Sequence, residues 1–207
     1  MKLITLLSLF AASRMLAAND TNLVATGDWS EPVATENWPA IRGRLLICDT
    51  PDHASSEHRT DTAVYLELQE FASAVRTVRV YCDLNRWSFP DDHPGLRCEL
   101  RDSKGKLVPN SPGGFSGGMP VSCWVTIQPY CSVRMRASVF GGGRLDDGGL
   151  AIYLASRGWW DVHPNRTNQY YLSGTFTASP PSLSSTNLDV WYGTLTLPPV
   201  RIPVKKP

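Results

Sequence analysis

What most narrows the folds open to this chain is a two-residue rhythm of apolar and polar side chains, interrupted again and again by glycine, proline and small polar residues. Arg42, Arg44 and Leu46 interleave with Gly43, Leu45 and Ile47. Val64, Leu66 and Leu68 alternate with Tyr65, Glu67 and Gln69, and Val78, Val80, Cys82 and Leu84 alternate with Thr77, Arg79, Tyr81 and Asp83. Neighbouring side chains on an extended strand point to opposite faces, so a period of two marks a strand with one face buried.

The rhythm continues down the chain. Leu96, Cys98 and Leu100 oppose Arg97, Glu99 and Arg101, and the turn residues Asp102-Ser103-Lys104-Gly105 then lead into Leu107-Val108, which reads as a hairpin. VSCWVTI follows a loop rich in Gly and Pro. Val133, Met135, Ala137 and Val139 are expected to face inward, with Arg134 and Arg136 outward. LAIYLAS, QYYLSGTFTAS and VWYGTLTLPPVRI supply further strands. Apart from a short turn at Glu70–Val75, no window fits a helical period better. The expected fold is all-β: an antiparallel β-sandwich of about nine or ten strands, Ig-like or jelly-roll-like, with a barrel as the alternative.

Composition excludes other classes. Twenty Lys and Arg against 19 Asp and Glu give a net charge of +1, without the clustered basic excess of a nucleic-acid binder. A chain 42% hydrophobic and 19% charged is neither disordered nor a coiled coil. The N-terminus, MKLITLLSLFAASRMLAAND, has the layout of a secretory signal: Lys2, an apolar run from Leu3 to Ala12, and small residues at Ala17-Ala18. That run is too short to cross a bilayer core as a helix, and no other stretch approaches transmembrane length. Residues 1–18 are therefore expected to be removed, taking Lys2 and Arg14 with them. Residues 19–40 read as an irregular lead-in whose Trp29 and Trp38 pack on the domain. Residues 41–203 read as one β domain, with an edge strand from Pro198 and a loose tail at 204–207. The expected location is secreted, periplasmic or otherwise in the cell envelope.

Export makes disulfides sustainable, and five cysteines allow two bridges with one thiol left over. Cys123 and Cys131 flank Gln128-Pro129-Tyr130 and would face each other across a hairpin. Cys82 and Cys98 fall on inward positions of strands taken as neighbours. The spacings hold no CxxC and no zinc-type Cys/His grouping, so no metal and no cofactor is expected.

Several groupings bear on chemistry. His53, Glu57 and His58 have neither zinc-peptidase spacing nor a helix to present them, and read as a solvated loop. Asp146 and Asp147 beside Gly148-Gly149 read as a turn rather than a calcium loop. No nucleophile elbow, P-loop or dinucleotide fingerprint is present. Asp91-Asp92-His93 and Asp161-Val162-His163 each join carboxylate to imidazole beside a tryptophan. Asp91, Asp92 and Asp161 support an alternative in which the chain is a glycoside-hydrolase-like enzyme with loop carboxylates. Asn19 and Asn165 head N-x-[ST] sequons.

The aromatic residues give the strongest lead. Trp159-Trp160, Tyr170-Tyr171 and Trp191-Tyr192 are adjacent pairs; for the two pairs on expected strands, Tyr170-Tyr171 and Trp191-Tyr192, one ring is expected to fill the core while its neighbour stands outside. The segment Arg157–His163, read as a loop, is the expected contact site, with Trp159, Trp160, Asp161 and His163 as binding residues. The functional expectation is an exported, non-catalytic binding, accessory or structural module with a protein or carbohydrate ligand. The alternatives are the hydrolase and a secreted protease-inhibitor-type interaction protein.

Overall fold

The computed structural model describes residues 22–34, 40–51, 60–71, 77–84, 95–111, 122–137, 145–154, 158–164, 169–179 and 190–204. The expected signal segment, Trp38, the His53–His58 loop, Asp91 to His93 and both sequons lie outside them. The described residues form twelve strands and no helix: β1 (Asn22–Thr26), β2 (Ile41–Pro51), β3 (Thr60–Glu70), β4 (Val78–Asp83), β5 (Gly95–Asp102), β6 (Ser122–Ile127), β7 (Ser132–Arg136), β8 (Leu150–Leu154), β9 (Gly158–Val162), β10 (Tyr170–Ala178), β11 (Val190–Trp191) and β12 (Gly193–Arg201). None of these residues lies in a helix long and apolar enough to cross a membrane.

The strands form four open sheets, ordered β1-β2-β3-β7, β12-β10-β5, β11-β4-β6 and β8-β9. None closes into a barrel. Every pairing is antiparallel except β11 with β4. One apolar core joins the sheets. It takes Ile41, Leu45, Ile47, Val64, Leu66 and Leu68 from the first, Leu100, Leu172, Phe176, Leu195 and Leu197 from the second, Val78, Val80, Cys82 and Trp191 from the third, and Leu150, Ile152, Trp160 and Val162 from the fourth. On β2, β3, β4 and β5 these are positions the alternation turns inward. Full burial of each such aliphatic side chain contributes about 1.5–3 kcal/mol before entropy is charged against it.

The β2 and β12 strands meet closely at Gly43. A Cβ there would lie 3.0 Å from Leu195 and Leu197 and 3.2 Å from Leu68, so glycine is what lets the two leucines of β12 reach the inner face of β2. A second close approach lies at Gly174 of β10, where a Cβ would collide with the carbonyl oxygen of Arg97 and press on Cys98 Sγ. Opposite, the β10–β12 register shifts between Leu172 and Gly174, so that Pro198-Pro199 occupies a bulge on an edge strand. Edge and bulge are where a ladder tolerates residues lacking an N–H.

Two expectations about the elements are corrected. The lead-in is not irregular throughout: Asn22–Thr26 form a strand. β1 pairs with β2, and the ladder is extended by Gly27 N–H to Leu45 O (2.9 Å), Ser30 N–H to Gly43 O (2.8 Å) and Val33 N–H to Ile41 O (2.8 Å). Buried Ser30 locks the join, its Oγ accepting Gly43 N–H at 3.0 Å. The segment around Trp159 and Trp160 is a strand, β9, and not a loop. Two consecutive indoles hide the alternation because both score as apolar.

The bridges Cys123–Cys131 and Cys82–Cys98 are likewise corrected: no disulfide joins the cysteines. β6 and β7 are consecutive in sequence but belong to different sheets, β6 beside β4 and β7 beside β3, so no hairpin sets Cys123 opposite Cys131. A tight turn makes the crossing, with Cys131 N–H bonded to Gln128 O (3.0 Å) and Tyr130 at φ 59°. A tyrosine in this left-handed region is strained, and Glu70 Oε2 holds it by accepting Tyr130 N–H at 2.8 Å. Cys82 and Cys98 are both inward and buried, but β4 and β5 are not sheet neighbours.

Candidate functional site

In β9 the side chains of Gly158–Val162 alternate between two faces. Trp160 and Val162 enter the core, opposite Ile152 and Leu150 of β8. Trp160 is 4% exposed, and its indole Nε1–H donates to Val108 O at 3.1 Å. Trp160 thus fills the interior with its one polar atom satisfied, and does not belong to a contact surface.

Trp159 and Asp161 take the other face, and His163 continues it just past the strand. Trp159 is half-buried and lies opposite Tyr153, ring centroids 6.1 Å apart and planes tilted by 35°. Its backbone is anchored by Ser111, which donates its N–H to Trp159 O at 2.9 Å and accepts Trp159 N–H at 3.3 Å. The ring therefore sits on a fixed backbone while part of it meets solvent. Asp161 is exposed.

His163 is exposed too, and its Nδ1 lies 2.7 Å from Asp147 Oδ2. Asp147 belongs to a turn closed by Gly148 N–H to Leu145 O (2.9 Å), in which Asp147 Oδ1 accepts Gly149 N–H at 2.9 Å. The hydrogen bond to His163, and secondarily that from Gly149, hold the Asp147 carboxyl below its ordinary value. The expected turn at Asp146–Gly149 is present, and among the described residues no three Asp, Glu, His or Cys side chains gather as metal ligands. The face thus offers an aromatic pair, a carboxylate at Asp161 and an imidazole oriented by Asp147: stacking surface beside hydrogen-bonding groups of both kinds.

A second polar face, whose pairings the alternation alone does not specify, lies on the outside of β2, β3 and β7. Register places Arg44, Glu67 and Arg134 in one row across three strands, and Arg42, Gln69 and Ser132 in the next. Glu67 is 2% exposed. Its Oε2 accepts Arg44 Nε–H at 2.6 Å, and its Oε1 accepts Arg134 Nε–H and Ser132 Oγ–H, each at 3.0 Å. Burial works against the charged form, but the bonds from Arg44, Arg134 and Ser132 outweigh it and hold the carboxyl below its usual range. Arg42 donates twice to Gln69 Oε1, at 2.9 and 2.7 Å. Its guanidinium lies 4.7 Å from the Trp29 ring centre and 4.4 Å from that of Phe71, while Arg44 lies 4.1 Å from Trp29. Trp29 therefore does pack on the domain, as a cap over two arginines. Outward Arg42, Arg44, Glu67, Gln69 and Arg134 were legible from alternation; their rows were not, because register is a tertiary property.

Compared with family models, curated proteins and solved structures, the chain matches none.

Proposed function

We propose that this chain is an exported, non-catalytic β-sandwich module that binds carbohydrate on the outer face of β9. The sandwich reading is supported by the packing of β12 against β2 around Gly43, which sets the inner faces of two sheets against each other. The observation that carries the binding reading is the grouping of Trp159, Tyr153, Asp161 and His163 on one anchored face. A sugar ring presents C–H bonds on one side and hydroxyls round its rim. A half-exposed indole offers the first a stacking surface, while a carboxylate and an imidazole take the second. Trp159 and Asp161 alternate correctly for this purpose; Trp160 does not, and its role is to hold the strand down.

The test is tryptophan fluorescence and calorimetric titration of the folded chain against a panel of soluble polysaccharides. Binding by at least one glycan, lost in Trp159→Ala and weakened in Asp161→Ala with the fold intact, supports the reading. A flat response across the panel, or binding that survives Trp159→Ala unchanged, overturns it.

A further inference from the structure

The cysteines carry an inference independent of the ligand. In the antiparallel pairing of β4 with β6, Cys82 lies directly opposite Cys123, after Val78↔Ile127, Arg79↔Thr126, Val80↔Val125 and Tyr81↔Trp124. Directly opposed residues share a face, and Val78, Val80 and Ile127 show that this one is turned towards the core. The Cα atoms of such a pair sit about 4.5–5.5 Å apart, inside the window that a disulfide spans, and the Cβ atoms, about 4.5–5.5 Å apart, need to close by up to about 1 Å to form the bond. Among the described residues no other pairing opposes two cysteines.

The two thiols differ in access. Cys82 is fully buried, while Cys123, at the rim of the same face, is exposed. Among the described residues β6 is an edge strand whose one sheet neighbour is β4. We propose that Cys82 and Cys123 are an oxidisable cross-strand pair that staples the edge strand β6 to β4. The oxidant is a low-molecular-weight disulfide. The Cys123 thiolate attacks one of its sulfurs, forming a mixed disulfide and expelling one small thiolate. Cys82, after losing its proton, attacks Cys123 Sγ and expels the second. The two cysteines give up two electrons and two protons, and the small disulfide is reduced to two thiols. Burial, and secondarily the neighbouring Cys123, push the Cys82 thiol well up, so its attack is the slow step and quickens with rising pH. Cys98, pushed up to about 12 by burial alone and lying in another sheet, is a bystander.

The experiment uses the full chain, reduced, then held in oxidised glutathione without denaturant, alkylated and mapped by mass spectrometry without reductant. A peptide linking Cys82 to Cys123, with the loss of two hydrogens and a raised thermal midpoint, supports the pair. Cys123→Ser should abolish both changes and Cys131→Ser neither. Because position 123 is exposed, the serine variant is expected to fold and is compared with wild type before oxidation. Absence of any linkage, a glutathione adduct that persists on Cys123, or a bridge from Cys123 to Cys131 overturns it.

Discussion

Two outer faces of this molecule carry aromatic rings beside ionic groups, and they end in opposite conditions. On β2, β3 and β7, three donors surround Glu67, Gln69 answers Arg42, and Trp29 covers two guanidinium groups. Its hydrogen-bonding and stacking capacity is turned on itself. On β9, Asp161 is exposed, Trp159 is only half-buried, and His163 is steered by Asp147 yet largely open to water. A side chain whose interactions are already met inside the protein gains little from a ligand, whereas a preorganised but open group gains the full contact. The proposed contact face is therefore distinguished by the open capacity of fixed groups and not by its density of charge and aromatics.

Substitutions can break this contrast at several strengths. The largest loss should come from beneath the open face. Trp160→Ala removes a buried indole and is expected to cost about 3–5 kcal/mol, read from urea unfolding. Next, Glu67→Ala leaves two arginines facing each other with no carboxylate between them and should cost about 2 kcal/mol. The same residue sets a pH response. Since its folded pKa lies below the ordinary value of 4.5, its contribution is complete above that value and drains away as pH falls through the lower folded one. Wild type should therefore lose stability in that acidic window more steeply than Glu67→Gln, and equal slopes would count against the network.

Smaller still on stability, Trp159→Ala should cost below about 1.5 kcal/mol, since the ring is only half-buried, yet it should remove glycan binding altogether. The smallest effect is electrostatic. In His163→Ala the Asp147 carboxyl should titrate closer to its ordinary value, as followed by NMR, with little change in the unfolding midpoint. If instead Trp159→Ala and Glu67→Ala destabilise equally and neither touches binding, the distinction between the faces fails.

The strands that alternate cleanly were legible in the sequence: β3, β4 and β5 bury the residues the rhythm turns inward, β7 partly buries Val133 and Met135, and β2 buries Leu45 and Ile47 but also Leu46, which the rhythm groups with Arg42 and Arg44. Trp191 is buried and Tyr192, in the step between β11 and β12, is exposed, whereas Tyr170 and Tyr171 are both partly buried and do not divide. β9 was obscured because Trp159-Trp160 reads as an apolar run, and β1 because five residues give too short a window for a period to emerge. The cysteine pairs went astray for another reason. Inward orientation is a local property, readable from period, but partnership is not: β6 and β7 follow each other in the chain and then part into separate sheets. Of the contact residues, Trp159 and Asp161 share the open face and Trp160 lies beneath it, a split the two-residue period would have given had the segment been read as a strand.

The parallel pairing of β11 with β4 carries a consequence for assembly. Val190 meets Arg79 and Trp191 meets Val80, partners separated by about half the chain. The β2–β3 pairing needs only neighbouring sequence and can form early, but one flank of β4 stays open until nearly the whole polypeptide is available. Closing so long a loop costs entropy before any contact offsets it. The rate at which this protein reaches its native state should therefore be set by the late arrival of a two-residue strand, with Trp191 as the side chain whose burial reports that arrival.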